Sequence, residues 1–505
     1  MSKINSQQQA WYQKPASAVF GAALGMMTLT SCANVDGQQK VMDSTLLQSE
    51  EKNSYSKEEN ANINPIQHVV VLMLENHSFD NMLGFLHLKN HEIDGLTGNE
   101  FNPVDPHDPS KGIIQVRWGS NYYGQPNPKH DFQDVTLQIF GTENPKPEAD
   151  PKMNGFIKDY TKEFQNLNEK GKVAASSQIM DAFMPDQLPV LSTLASNFVV
   201  CDHWFASVPG PTWPNRAYVT QATSEGHLTT PSSGIGGVSQ ILKAIDGTYY
   251  KDKTPTIYDR LTSAHKPWKI YYHDLPLSAV MFPRVRDQIQ NVISYKRFKE
   301  DVQNNTLPAY SFIEPRWYNT TTKKASDEQN PHDIREGERL IADIYNTLRS
   351  SDSTWKSTLF VITYDEHGGH FDHVSPPDAV NPDGINAHDP TFNFNRLGVR
   401  VPAVLISPWL PKGEVDHTVY DHTSILKFME NRFNLQPLTA RDHHANTFDK
   451  DFILNLPRED TPKQIEALPE GKQPPTSPFL SSPGEPNGEN AEFIIASMRE
   501  LLGVK

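Results

Sequence analysis

Three carboxylates and three histidines crowd into the ten residues Tyr364-Asp365-Glu366-His367-Gly368-Gly369-His370-Phe371-Asp372-His373. The apolar run Leu359–Thr363 precedes them and reads as a strand, so Asp365 and Glu366 fall at its buried end. Adjacent carboxylates there repel each other strongly, and a divalent cation turns that repulsion into affinity. A solvated turn accounts for Asp372 and His373 but poorly for Asp365 and Glu366. The glycines let backbone approach a substrate closely. Glu75-Asn76 follows a second apolar run, and a carboxylate and an amide oxygen at a strand end suit a hard cation or an incoming phosphoryl group. Ser78 or Asp80 can cap a helix over Phe79–Leu86, but capping leaves Glu75 without a partner.

The third element is a hydroxyl. Pro209-Gly210-Pro211-Thr212-Trp213-Pro214-Asn215-Arg216 lies between an extended run ending near Cys201 and a helical pattern. On a constrained turn that opens a helix, Thr212 could be an activated nucleophile, with helix-start amides and Arg216 holding phosphate oxygens. The same residues also fit a plain helix start, with Thr212 as cap, Pro214 in the first turn and Arg216 in a structural ion pair. His130, His273 in Tyr271-Tyr272-His273-Asp274, and His332 in Pro331-His332-Asp333 flank strands or open a helix, places that suit a general acid or a phosphate-oxygen donor. The chain holds no HExxH, CxxC or GxxxxGK[ST] pattern. That argues against a zincin, a thiolate zinc site and a P-loop NTPase.

Elements able to hold these groups recur along the chain. Ile66–Leu74 is a continuous apolar run, and similar runs lie at Lys269–Tyr272, Ala309–Ile313, Thr358–Tyr364 and Pro402–Ser407. Helical periodicity fills Gln187–Leu194, Asp333–Leu348 and Ile425–Phe433, the second with Gly337, Leu340, Ile341, Ile344, Tyr345 and Leu348 on one stripe. Strands alternating with helices predict an α/β fold with a largely parallel sheet covered on both sides, and chemistry beyond the carboxyl ends of its strands. Residues 99–149, rich in Pro, Asn, Gly and Asp, read as a long irregular insertion. After the Pro- and Gly-rich stretch Leu468–Asn490, a short helix over Ala491–Leu502 carries Phe493, Ile494, Met498, Leu501 and Leu502; it reads as a cap on the core rather than a membrane-surface helix, since its polar side lacks dense Lys and Arg.

Composition narrows the partners. The 505 residues hold 46 basic and 61 acidic side chains, a net charge of −15, which excludes a broad basic face and hence a nucleic-acid partner. No apolar run reaches polytopic membrane character. Two cysteines form no disulfide scaffold, and no disulfide-linked partner is expected. Lys3 and Lys14 precede the apolar stretch Ala18–Leu29 and Leu29-Thr30-Ser31-Cys32, a secretory signal whose end resembles a bacterial lipoprotein box with Cys32 lipidated. An ordinary signal cut nearby is the alternative, so the protein is expected to be exported, either secreted or lipid-anchored to the bacterial outer membrane or periplasm. The expected domains are a signal over 1–32, a flexible linker over 33–64, a catalytic domain over 65–455 and a C-terminal extension over 456–505.

These pieces occur in a fixed order: ENHSFDNMLG, VPGPTWPNR, NPHDIREGERLI, TYDEHGGHFDHVSPP, RLGVRVPAVLISPW and DHTSILKFMENRFNL. The series resembles the bacterial and plant non-specific phospholipase C family, which is related to an acid phosphatase branch within the alkaline-phosphatase-like superfamily. The resemblance runs from about Ile66 to about Phe448. It implies a three-layer α/β/α sandwich that cleaves phospholipids at a membrane surface, typically phosphatidylcholine, to diacylglycerol and a phosphorylated headgroup. Carried onto this chain, it makes Thr212 the nucleophile. Glu75, Asn76, Asp365 and Glu366 become the metal and phosphate site, and His130, His273 and His332 surround the phosphoryl group. Asn76, Asn215 and Arg216 are expected to contact substrate. Among cations zinc is preferred, with calcium, manganese and magnesium compatible. The rival readings are an acid phosphatase on the same fold and a non-catalytic surface lipoprotein that binds lipid headgroups; a sulfatase is excluded because threonine cannot supply its aldehyde.

Overall fold

The structure, a computed structural model, describes residues 65–231, 243–247, 249–251, 254–470 and 487–504. The expected signal, Cys32, the whole linker, and residues 471–486 of the tail lie outside the described residues.

One sheet of eight strands organises the chain: β1 (His68–Leu74), β2 (Val199–Cys201), β3 (Trp268–Tyr272), β4 (Val292–Ser294), β5 (Tyr310–Glu314), β6 (Thr358–Tyr364), β7 (Ala403–Ile406) and β8 (Val415–Asp416). Their lateral order is β8-β2-β7-β6-β1-β5-β3-β4. β7 runs antiparallel to β2 and β6, and every other pair is parallel. Every residue of β6 and all but His68 of β1 are buried, as expected of strands covered on both faces. Each buried Val, Leu or Ile side chain contributes about 1.5–3 kcal/mol. The five predicted strands each appear within two residues of their expected ends; β4 and β8, short and at the sheet edges, carry too few residues to show a pattern.

Helices complete the α/β/α sandwich. Pro189–Asn197 packs on Ile334–Arg349 and against β2 and β7, while Thr212–Gln221 packs on Thr423–Phe433 and Ile257–Ser263. The predicted stripe of Ile334–Arg349 is buried, and so is Glu338 beside it. That carboxylate accepts N–H groups of Val190 (2.7 Å) and Leu191 (2.8 Å), donors that the start of the neighbouring helix cannot satisfy internally.

The segment 99–149 is not wholly irregular. It contains a hairpin pairing Phe101–Pro103 with Ile113–Gln115 and a helix over Phe132–Phe140, whose Val135 and Ile139 join Met153, Phe156 and Ile157 in a separate core. Its turn-rich composition masks one short amphipathic helix. Beyond 455 the chain runs back over the body: Arg458 donates to Asn197 O (2.7 Å) and Tyr345 to Pro462 O (2.6 Å). The final helix, Gly488–Leu502, docks through Ala491, Ile495 and Leu502, while Phe493 and Leu501 of its expected stripe face solvent. Among the described residues, no helix is long and apolar enough to cross a membrane.

Candidate active site

Leu74 and Tyr364 are paired at the carboxyl ends of β1 and β6, so the residues that follow them arrive side by side, and Asp365 N donates to Leu74 O (3.1 Å). Glu75, Asn76, Asp365 and Glu366 are all at most 1% exposed. Asn76 adopts φ = 64°, a left-handed conformation uncommon outside glycine, which turns its side chain back over the strand ends. Gly368, with φ = 62°, passes so close that a Cβ there would meet Asn76 O at 2.1 Å. The glycines therefore serve contact between two protein loops; the expected approach to substrate is not what Gly368 provides.

Each carboxylate is tied back by at least one oxygen, and Asp365 by both, since its Oδ1 accepts Glu366 N (2.8 Å). Glu75 Oε1 accepts from Arg216 (2.8 Å), Asp365 Oδ2 from Arg216 Nε (3.0 Å), and Glu366 Oε2 from Gly368 N (2.6 Å). The other oxygens converge. One terminal atom of the Asn76 amide lies 2.7 Å from Glu366 Oε1 and 3.2 Å from both Asp365 Oδ1 and Glu75 Oε2. With nitrogen there the amide directs its two N–H groups among the three carboxylates, the orientation that satisfies them. Burial, and then the neighbouring Asp365, push the Glu75 and Glu366 carboxyls well above the usual range.

Thr212 opens its helix with Pro211 at the cap position and makes no cap hydrogen bond of its own. Its hydroxyl instead donates to Glu75 Oε2 (3.2 Å), so the plain helix-cap account fails for Thr212. Asn215 does not reach a substrate. It is fully buried, its Nδ2 donates to the carbonyls of Val208, Gly210 and Pro211, and its Oδ1 accepts from Val208 N. It clamps the turn that presents Thr212. Arg216 likewise faces inward: beyond the carboxylates it donates to Met73 O and Leu74 O, and its guanidinium lies 4.6 Å from the Trp317 ring. Only Nη1 lacks a hydrogen bond among the described residues. Arg216 is the structural ion pair of the plain reading rather than a substrate clamp.

The histidines divide. His130 Nδ1 donates to Pro128 O (2.8 Å), and its Nε2 lies 3.5 Å from Glu366 Oε1, so it joins the cluster. His332 pairs through Nδ1 with Asp327 Oδ1 (2.7 Å), and Asp327 O accepts Glu75 N (2.8 Å), which sets His332 behind Glu75. His273 stands apart: Nδ1 donates to Glu314 O (2.8 Å), the ring stacks on Tyr295, and burial lowers its pKa to about 4. Its one N–H is committed to that carbonyl and it follows β3, two strands from β1, so His273 is not among the groups gathered around Thr212.

Two positioning residues escaped the sequence reading. Trp204 Nε1, a donor only, points at His422 Nδ1 (3.4 Å); His422 Nε2 therefore carries the proton and donates to Asp365 O (2.7 Å). His422 stands in the DHTSIL segment, directly before the helix Thr423–Phe433. Gln138, on the unforeseen helix, accepts from His367 Nε2 (2.7 Å) and donates to Lys129 O (2.9 Å), bracing the loop after Glu366.

These residues fit a divalent cation. Three buried carboxylates meet one guanidinium, a deficit of positive charge that a divalent cation would offset. Asp80, Asp372 and His373 also bring ligand atoms within 4.8 Å of one another, but their oxygens are already committed. Arg400 binds Asp80 Oδ1 and Asp372 Oδ1 (2.9 Å each), and His373 places Nδ1 on Asp80 (2.7 Å) and Nε2 on Asp94 (3.0 Å). Asp372 is fully buried, so the solvated turn expected of Asp372 and His373 is instead an internal ion-pair network.

The sequence profile of the Phosphoesterase family matches residues 66–436. The chain is 39% identical over 426 residues to non-specific phospholipase C1 of Arabidopsis thaliana, covering 81% of this chain and 74% of that one. It is 27% identical over 431 residues to hemolytic phospholipase C of Pseudomonas aeruginosa, covering 74% of this chain and 53% of that one. Among solved structures it is similar to a protein in the alkaline phosphatase superfamily from Vibrio parahaemolyticus, with 10% identity, 52% of this chain and 65% of that chain covered, and a TM-score of 0.29. The matched span takes in Glu75–Asn76, Thr212 and Asp365–Glu366 together, and the chain belongs to the phosphoesterase family, as an enzyme that hydrolyses phosphate esters.

Proposed function

We propose that this enzyme is a phospholipase C that acts on glycerophospholipids such as phosphatidylcholine at a membrane surface, through a phosphothreonine intermediate. The observation that carries the reading is the Thr212 hydroxyl held 3.2 Å from Glu75 Oε2, at the rim of the buried carboxylates. That hydrogen bond directs the proton at Glu75 and leaves an oxygen lone pair free to attack phosphorus. Asn215 fixes the turn, so Thr212 meets the phosphoryl group already oriented. A divalent cation held by Glu75, Asn76, Asp365 and Glu366 supplies Lewis acidity toward the phosphoryl oxygens. Asp327 orients His332, which protonates the departing diacylglycerol oxygen and then activates the water that releases the phosphorylated headgroup from Thr212. His130 lines the Glu366 side of the centre. The converging donors are oxygens, which suit a hard cation, and His130 is the nitrogen at hand for zinc. The N-terminal signal supports export of the enzyme.

The test is a product assay on vesicles of mixed phospholipids, with and without chelator. Diacylglycerol and phosphorylated headgroup are expected, lost on chelation and restored by one of zinc, calcium, manganese or magnesium added singly. Release of inorganic phosphate from monoesters alone would make the enzyme an acid phosphatase.

A further inference from the structure

The carboxyl edge of the sheet continues past the reaction centre. Leu72 pairs with Ile313 on β5, and Tyr272 of β3 pairs with Glu314. Past the strand ends that register is interrupted: Glu75 N donates to Asp327 O (2.8 Å) and Ser326 N to Arg316 O (2.8 Å), so residues 326–327 run between Glu75 and Arg316. Arg316 follows β5; His273 follows β3, two strands from β1 along the edge, and donates from Nδ1 to Glu314 O (2.8 Å). Between them and the solvent opens a cavity of about 640 Å³ lined by His273, Arg316, Lys323 and Lys324, a volume typical of a small-molecule site. Trp317, next to Arg316 in the chain, carries the guanidinium of Arg216, the residue that binds the carboxylate cluster, 4.6 Å from its ring centre.

The charges in this cavity are unevenly matched. Lys324 pairs with Glu336 (3.6 Å) and Glu470 (3.3 Å), and Arg339 Nε also binds Glu336 (3.1 Å). Asp343 accepts the Tyr295 hydroxyl (2.7 Å). Asp274, which feels the Arg316 charge, directs its oxygens at the N–H groups of Leu275, Trp317 and Tyr318. The guanidinium of Arg316 and the ammonium of Lys323 have no ion pair with any described residue. His273, with Nδ1–H committed to Glu314 O, keeps Nε2 as an acceptor. The lining holds four cations, Arg316, Lys323, Lys324 and Arg339, against three carboxylates, Glu336, Asp343 and Glu470, and its excess cation beside an acceptor suits an anion that sits next to a hydroxyl.

We propose that this cavity is a headgroup subsite for a second phosphate, a phosphomonoester on a hydroxylated headgroup held by Arg316 and Lys323. The proposal rests on the phospholipase C reading and names a substrate class for it. A bidentate guanidinium gives such a phosphate both charge and orientation, at the carboxyl edge of the same sheet that carries the reaction centre.

The test compares kcat/KM on vesicles bearing phosphatidylinositol 4-phosphate with kcat/KM on phosphatidylcholine vesicles, for the wild type and for the double variant Arg316→Ala, Lys323→Ala. The ratio is expected to fall about tenfold, mainly through KM on the phosphorylated lipid; a fall of less than threefold overturns the subsite. A separate arm titrates inorganic phosphate against phosphatidylcholine cleavage. Inhibition that vanishes in the double variant while the lipid ratio holds would assign the cavity to free phosphate and overturn the headgroup assignment. A wild type that cleaves neither lipid yet hydrolyses p-nitrophenyl phosphate would instead bring down the phospholipase reading and the subsite with it.

Discussion

Two buried acidic clusters share the same two stretches of chain, and they have opposite characters. Glu75, Asp365 and Glu366 meet one guanidinium, Arg216, and turn three oxygens toward the Asn76 amide and Thr212. A few residues further along both stretches, Asp80 and Asp372 share Arg400, and His373 bridges Asp80 to Asp94. His373 faces a carboxylate at each ring nitrogen and so carries both protons; against the cost of burial, Asp80 and Asp94 raise its pKa to about 10. The second cluster is balanced and closed, whereas the first is short of positive charge and open at Thr212. The closed cluster ties the 364–373 loop to the segment after β1, and that rigidity holds the open one in register. Acidic residues in a fold are thus read by what remains unneutralised rather than by their number.

The widest separation between the clusters lies in turnover. Thr212→Ala is expected to lower phospholipid cleavage on the order of 10⁴-fold or more, with the thermal unfolding midpoint close to wild type; near-normal initial rates would remove Thr212 from the reaction. Arg400→Met attacks the other cluster and leaves Asp80 and Asp372 as unpaired buried charges. Denaturant unfolding should show a loss of about 3–5 kcal/mol, while bound metal per folded chain, measured by elemental analysis, stays at the wild-type value. Metal loss from the folded variant would mean that the two clusters form one site.

The smallest effect is a pH dependence. The folded pKa of His373, about 10, exceeds the ordinary 6.5, so its stabilisation is complete below about pH 6.5 and disappears as pH rises through 10. Wild type should therefore lose stability relative to His373→Gln between pH 7 and 10. Parallel melting curves for the two proteins over that range would contradict the network's charge assignment.

Much of the frame was legible because strong apolar runs leave few alternatives. Ile66–Leu74 and Thr358–Tyr364 read as strands and are β1 and β6. The residues that follow them, Glu75–Asn76 and Asp365–Glu366, stood out because carboxylates at buried strand ends demand a partner. The errors concern direction. Asn215 and Arg216 were expected to face a substrate, yet both face inward, and His273 was expected at the phosphoryl group but lies two strands away. Spacing identifies a strand end, but it does not tell which strand lies beside it or where a side chain turns.

By itself, the sequence determined that strands end in carboxylates, that a threonine opens a helix after Pro-Gly-Pro, and that helices alternate with strands; these are local consequences of hydrophobic pattern and backbone preference. Only the tertiary structure decided that β1 and β6 are neighbours, that Arg216 neutralises two of the three carboxylates while Arg400 closes the second cluster, and that Thr212 meets Glu75. The reason is physical: charge balance and orientation belong to the set of groups packed around an atom, and most of that set comes from distant parts of the chain.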